Sequence, residues 1–310
     1  MNQVMNQRTI QKEVSCSGIG LHSGKKVHLR LLPAPEGSGV VFIRTDLGGI
    51  SIPADAAHII STSLSTTIGA PGATVQTVEH LLAAVSALHI GNLIVELEGG
   101  EVPVLDGSAA PFVSLLQEAG EACQEDARPI IELMEPVTVS ENGKYITLRP
   151  ASQFEISYKI QFDHPLISTQ SYFYRHSVEA FAEEIAPART FGFLREVQSL
   201  QARGLARGGS LENAIVIGDD RILNKQGLRF SDEFVRHKIL DLMGDLSLLG
   251  MPILGRIDAV CSGHMLHAKL IREILKNQAA WKVSSAPSPV GFRGGRTLHP
   301  APPLSPTLSL

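Results

Sequence analysis

The stretch FVRHKILDLMGDLSLLG, residues 234–250, sets His237, Asp241 and Asp245 at intervals of four, with Lys238 beside the first. On a helix, residues four apart share a face, so an imidazole and a carboxylate can aim at one point while Asp245 continues the stripe. Such ligands suit zinc. The same spacing is frequent on solvated helix faces, the commoner meaning of an isolated H-x-x-x-D, and the stretch alone leaves both readings open.

A second pair, Glu79-His80, stands at the head of QTVEHLLAAVSALH (76–89), whose apolar residues recur at helical spacing. A catalytic zinc site takes three protein ligands, leaves a position for water and needs a nearby base. His80 could complete the ligands and Glu79 serve as that base. Glu precedes His directly with no second His four residues on, so this is not H-E-x-x-H; a first-turn acid favoured by the helix dipole explains the pair equally well. The third candidate is SGHMLHAKL (262–270), where Ser-Gly closes a strand and His264 opens a helix. His264 is either a general acid held protonated by a carboxylate such as Asp245, or a residue capping its helix. His267 reads as surface or structural. His28, His58, His89, His164, His176 and His299 lack a partner motif and read as structural or solvent histidines.

These residues need elements to carry them. VHLRLLPA (27–34) and GVVFIRT (39–45) read as two strands of a hairpin around PEGSG. The 76–89 helix is expected to end at Gly91, followed by a strand over 92–99 and a helix over 108–120 with Ser108 as its N-cap. QEDARP (124–129), polar and closed by proline, is the best linker candidate. Beyond it come a hairpin over 136–150 turning at Asn142-Gly143, a strand over 154–162, the 232–250 helix, a strand over 255–263 and a helix over 264–281. The two halves repeat one order of elements, as an old duplication would. Residues 190–220, a helical pattern, a Gly-rich turn and an apolar strand, look inserted in the second half. From Val283 onward the chain is rich in Pro, Ser and Gly and reads as a flexible tail.

Composition narrows the function. The chain has 310 residues, 44% of them hydrophobic, enough for a sizeable core and two domains. Lys and Arg number 27 against 31 acids with no long basic run, so a nucleic-acid footprint has no support. Three scattered cysteines, Cys16, Cys123 and Cys261, argue against a disulfide framework and fit a reducing compartment. The opening MNQVMNQRTIQKEV lacks the apolar core of a signal peptide, and no apolar run approaches the roughly 20 residues of a membrane span. A cytoplasmic protein is expected, with proximity to a membrane surface left open.

Seven separated stretches, in order, carry a resemblance: SGIGLHSG (17–24), TVEHLLAAVSAL (77–88), VPVLDGSAAPFV (102–113), ARTFGF (188–193), GLARGGSLENAIVI (204–217), GLRFSDEFVRHKILDLMGDL (227–246) and SGHMLHAKL. From about residue 7 to 281 the chain resembles the UDP-3-O-acyl-N-acetylglucosamine deacetylases, zinc enzymes that commit sugar nucleotides to lipid A synthesis in Gram-negative bacteria. The resemblance implies one Zn2+ on His80, His237 and Asp241, with Fe2+ an alternative in the cell. It implies Glu79 as general base, His264 as the acid toward the leaving amine, Asp245 as the group keeping His264 charged, and Thr190 as the oxyanion donor. Lys238, Phe191 and His22 would contact the substrate, a UDP-sugar lipid precursor. Leu194, Val197, Leu200, Gly209, Ala214 and Val216 would line an apolar passage for its acyl chain.

The fold implied is α+β: two similar domains, each a sheet layered against a pair of helices, packed with the active site between them. The boundaries read as 1–126, 127–282 with the insertion at about 190–220, and a tail over 283–310. A monomer is expected. Two features depart from the pattern. Ser63, in STSLST, stands where many members carry a cysteine close to the metal, so weaker inhibition by excess zinc is expected. The tail lies outside the family core, and deleting 285–310 should leave activity largely intact. The competing readings are a zinc deacetylase for another acylated sugar or amide, which would not need an acyl passage, and a non-catalytic binding protein, which would be expected to have lost at least one of the five site residues.

Overall fold

The structure, a computed structural model, describes residues 6–285. The first half contains strands β1 (Asn6–Ile10), β2 (Val14–Ile19), β3 (Lys26–Pro33), β4 (Val40–Arg44), β5 (Ile50–Pro53), β6 (Ile59–Ser61), β7 (Thr67–Ala70) and β8 (Ala73–Val75). Helix α1 (Glu79–Ala87), β9 (Leu93–Glu98), α2 (Ala110–Ala119) and β10 (Glu121–Ala127) complete it. The second half contains β11 (Pro129–Leu133), β12 (Val137–Glu141), β13 (Lys144–Arg149), β14 (Phe154–Gln161), β15 (Thr169–Arg175) and a short α3 (Val178–Ala180). It continues with β16 (Phe191–Phe193), α4 (Leu194–Ala202), β17 (Ile215–Ile217), α5 (Glu233–Leu246), β18 (Ile253–Val260), α6 (His264–Lys276) and β19 (Trp281–Ser285).

The two main sheets share one topology. The first runs β2-β3-β9-β4-β5, with β9 antiparallel to β3 and parallel to β4. In the second, β18 lies between β13, antiparallel, and β14, parallel, with β12 and β15 outside them, while β11 and β19 extend it beside the start of β18. The repeat suspected from the order of elements is therefore present in strand order and direction. The first hairpin is not: β9 comes between β3 and β4, which do not pair. A five-residue turn is compatible with a hairpin, but Val95 and its neighbours on β9 bury both flanking strands and win the central place.

The helices form the layer between the sheets. α1 packs on α2 and, most extensively, on α5, which packs on α6. α1 is buried on all sides, from Glu79 through Val85, as its nearly unbroken apolar run requires of a helix enclosed in a core. It stops earlier than Gly91, because His89 takes the left-handed conformation at φ +59° and the Ile90 N–H returns to Val85 O at 3.0 Å. The N-cap position of α2 falls on Ala109, one residue after Ser108; Ser108 Oγ still accepts from the Ala110 N–H at 3.2 Å and donates to Asp106 Oδ1 at 2.8 Å.

Two further expectations change. QEDARP is not an irregular linker: residues 124–127 belong to β10, which pairs antiparallel with β1, and Pro129 opens β11. A solvent-facing two-stranded ribbon can be polar and still hydrogen-bond its backbone, so composition alone misreads it. The final helix ends at Lys276, and Trp281–Ser285 joins the second sheet against β11, so the supposed tail begins as a strand. Residues 286–310, with His299, lie outside the described residues. The Asn142-Gly143 turn is as expected, with φ of +50° and +76°. The 190–220 segment holds the expected helix and strand, plus β16 paired parallel to β17. Among the described residues no helix is long and apolar enough to cross a membrane.

Candidate metal centre and active site

The head of α1 meets the C-terminal half of α5 because Gly244 has no side chain. A Cβ there would overlap the backbone carbonyl of Glu79, so only glycine lets the two helices approach this closely. The approach brings His80 Nε2 to 3.7 Å and His237 Nε2 to 3.3 Å from Asp241 Oδ1. The imidazoles meet edge to face at 5.0 Å between centroids. One donor atom from each of the three residues lies within 4.8 Å of the others, and all three side chains are buried.

The donor set fits a metal ion. His237 Nδ1 lies 3.1 Å from the Ala188 carbonyl, which it can meet only as an N–H donor, leaving the Nε2 lone pair directed at the common point. Burial holds His237 neutral, its pKa pushed down to about 3. Burial acts to raise Asp241, but His237, Lys238 and His80 outweigh it and keep the carboxylate ionised well below its usual range. Its second oxygen accepts from Lys238 Nζ at 2.6 Å.

Asp245, His264 and His267 also lie close together, but their geometry serves protons. Asp245 Oδ2 is 2.7 Å from both His264 Nδ1 and His267 Nδ1, its Oδ1 accepts from Thr66 Oγ1 at 2.5 Å, and His267 Nε2 meets Ser262 Oγ at 3.1 Å. Both rings therefore use Nδ1–H toward one carboxylate. Burial acts to lower His264, but Asp245 and then Glu79 overcome it and raise the imidazole to about 9, so it is cationic at neutral pH. Asp245 is held at about 2 by the two rings against its burial. His267, read from sequence as surface or structural, is fully buried and helps orient this carboxylate.

Glu79 faces both groups. Its Oε1 lies 3.9 Å from His264 Nε2, and its Oε2 accepts from the Thr66 N–H at 3.0 Å. Burial raises its pKa, with His264 and His80 opposing. Thr66 thus ties the two sides of the site together, a role no sequence motif signalled. Glu101, equally unanticipated, accepts from the His22 and Ser23 N–H groups at 2.8 Å each and from Thr77 Oγ1 at 3.0 Å, holding the loop of His22 against the entry to α1. A buried ion pair, Arg189 Nε to Glu233 Oε1 at 2.8 Å, pins the segment carrying Ala188 and Thr190 to the start of α5.

Beside the centre lies a cavity of about 470 Å³. Leu194, Val197, Leu200, Gly209, Ala214 and Val216 line it, together with His22, Thr190 and Phe191. Thr190 is fixed by its N–H to Gly107 O and its carbonyl to the Ile215 N–H, both at 2.8 Å. Lys238 Nζ stands 5.7 Å from the Phe191 ring centroid, between cavity and metal ligands. His22 Nε2 is buried without a partner among the described residues. Ser63 is exposed in the loop before Thr66.

Two imidazoles and a carboxylate converging between two α+β halves, with a free carboxylate and a cationic histidine alongside, define a candidate metal-dependent hydrolase. The sequence profile of the UDP-3-O-acyl N-acetylglycosamine deacetylases matches residues 7–276, and the chain belongs to that family. The UDP-3-O-acyl-N-acetylglucosamine deacetylase of Myxococcus xanthus (strain DK1622) is 51% identical over 282 residues, 91% of this chain and 90% of that one. Proteins of the same name from Syntrophus aciditrophicus (strain SB) and Nitratidesulfovibrio vulgaris (strain Hildenborough) are 47% and 48% identical, covering 90% and 96% of this chain and 89% and 96% of their own.

Proposed function

We infer that the chain hydrolyses the N-acetyl amide of UDP-3-O-(3-hydroxyacyl)-N-acetylglucosamine, releasing acetate, the committed step of lipid A synthesis. The observation that carries this reading is the convergence of His80, His237 and Asp241 beside Glu79 and His264, at the edge of an apolar cavity, in a chain of this family. His80, His237 and Asp241 would hold zinc, or Fe2+ in the cell. The ion would supply Lewis acidity, making a water more acidic and the acetyl carbonyl more electrophilic.

The protein's groups divide the remaining work. Glu79 takes the proton of the attacking water as the oxygen–carbon bond forms, a task suited to a carboxylate whose basicity burial increases. Thr190 donates its hydroxyl hydrogen to the developing oxyanion. His264, kept charged by Asp245, counters that oxyanion and passes a proton to nitrogen as the carbon–nitrogen bond breaks, so acetate and the free amine leave. Lys238, Phe191 and His22 contact the UDP-sugar, and the six residues of the 194–216 segment accept the acyl chain. That cavity favours an acylated sugar over a simple one. We read residues 1–126 and 127–282, the latter carried on through β19 to Ser285, as the two domains of a cytoplasmic monomer that needs no nucleic acid.

Metal analysis of the purified protein, with an assay on the UDP-sugar, tests the mechanism. The wild type should carry one metal ion per chain. His237→Ala should lose metal and activity together, and Glu79→Ala should keep the metal and lose activity. A metal-free wild type with a fully active Glu79→Ala variant would overturn it.

A further inference from the structure

A buried charge away from the active site takes no part in this chemistry. Arg128, between β10 and β11, is 8% exposed, and its Nη1 has no hydrogen-bond partner among the described residues. A guanidinium keeps its proton at neutral pH, so a buried one without a counter-charge is costly unless something satisfies it. Burial depresses Arg128 to about 10, and the neighbouring charge that adds to this effect is another cation, Arg8. Arg8 is itself paired with Glu121 at 2.6 Å.

Arg128 lines a cavity of about 140 Å³ at the far end of α1 from Glu79 and His80, together with Ser38, Asp55, Ser86 and Ser247. Asp55, on the same wall, makes no ion pair with Arg128 among the described residues; its Oδ1 lies 2.7 Å from His58 Nδ1 and accepts from the Ala57 N–H at 2.9 Å. Ser86, Ser247, Met251 and Pro252 also line an adjoining cavity of about 280 Å³ that contains His89 and His176. These rings meet edge to face at 5.3 Å. Burial keeps both neutral, at about 3 and about 4. The cleft thus presents one cation unpaired among the described residues, hydroxyl groups, neutral imidazoles and, on its rim, the Asp55 carboxylate held toward His58.

We propose that this cleft binds a small oxyanion, a phosphate or carboxylate group, gripped by the Arg128 guanidinium. Planar paired N–H donors match such groups in shape and charge. The cavity at Arg128 is well below the roughly 300 Å³ at which drug-sized ligand pockets begin, so it takes a single anionic group and not a nucleotide. Its walls come from both halves, Ser38 to Ser86 on one side and Ser247 to Pro252 on the other. A bound anion therefore ties the halves together on the side away from the metal ligands and stabilises the folded chain by mass action.

Calorimetric titration and thermal unfolding of the full chain with sodium phosphate and with sodium acetate, at ionic strength held constant with sodium chloride, test this. The wild type should bind one of the two anions saturably with a rise in Tm; which one identifies the group. Arg128→Met should weaken that binding by about ten-fold or more, the size of a lost charge-assisted bond. Arg128→Lys should retain part of it, and Lys238→Ala, at the active site, should leave it unchanged. Because the readout is the increment caused by the anion, a lower basal Tm of Arg128→Met does not obscure it. Equal titrations for wild type and Arg128→Met, loss of binding in Lys238→Ala alone, or no saturable response to either anion, as expected of an arginine satisfied by water, would each overturn the proposal.

Discussion

α1 and α5 occupy equivalent places in two sheets of the same topology, and each begins with a buried glutamate, Glu79 and Glu233. Their neighbours make them different residues. Glu233 is closed on by Arg189 and by the N–H groups of Arg189 and Arg229, at 2.6–3.1 Å, and holds the chain in place. Glu79 has a single backbone donor, and its other oxygen faces His264. The helices that follow differ in the same way, since α6 starts at His264 where α2 starts at Ala110. A repeated fold supplies equivalent positions; the partner placed beside each decides whether it stabilises or reacts.

The sharpest way to break the comparison is to remove each carboxylate. Glu79→Gln should cut kcat by about 10²–10⁴, the range for general-base catalysis, with little loss of folding stability, because it removes a buried carboxylate that has no cationic partner locked to it. Glu233→Gln should lower unfolding free energy by about 3–5 kcal/mol, since it leaves Arg189 buried and unpaired. Denaturant unfolding beside steady-state kinetics would separate the two, and a Glu79→Gln variant with intact kcat would erase the distinction.

Asp245→Asn tests what keeps His264 charged. An acid must be protonated to act, so activity falls as pH rises through its pKa, here raised to about 9 by Asp245 and Glu79 over the effect of burial. Without the Asp245 charge that pKa drops, and the alkaline limb of the kcat/KM profile should move to lower pH. An unmoved limb would assign it to another group.

Gly244→Ala should separate the helices at their crossing, costing about 1–3 kcal/mol of stability as overpacking and lowering metal occupancy, because both donor pairs shift. Thermal unfolding and metal content would report it.

The smallest effect concerns the other end of α1. His89 and His176 are held neutral by burial, with folded pKa values of about 3 and about 4, below their unfolded values. The unfolded chain then takes up protons first as pH falls, so the stability present above about pH 6.5 should decline toward pH 4. His89→Asn, which tolerates the left-handed backbone, should flatten that slope in urea melts at successive pH values.

Much of the site was legible because it sits on helices. Four-residue spacing on 234–250 placed His237 and Asp241 on one face, and the ordered motifs joined them to Glu79-His80. Thr66 and Glu101 were not legible, since each acts through hydrogen bonds to residues distant in the chain, Thr66 to Asp245 and Glu101 to His22. The hairpin assumed over 27–45 failed for a related reason: local turn residues can permit a pairing, but the competition from β9 arises 50 residues later. His267, read as surface or structural, is structural; packing, and not the helix pattern, decides between the two.

Sequence by itself determined the helical faces, the turn at Asn142-Gly143, the repeated order of elements and the chemical types available for a metal and a base, because these depend on spacing and side-chain chemistry. Tertiary structure decided which acid is free and which is paired, which histidine is cationic and which is neutral, and that Arg128 has no ion-pair partner among the described residues. Charge state and reactivity follow from burial and from neighbours within a few ångströms, and those neighbours come from elsewhere in the chain.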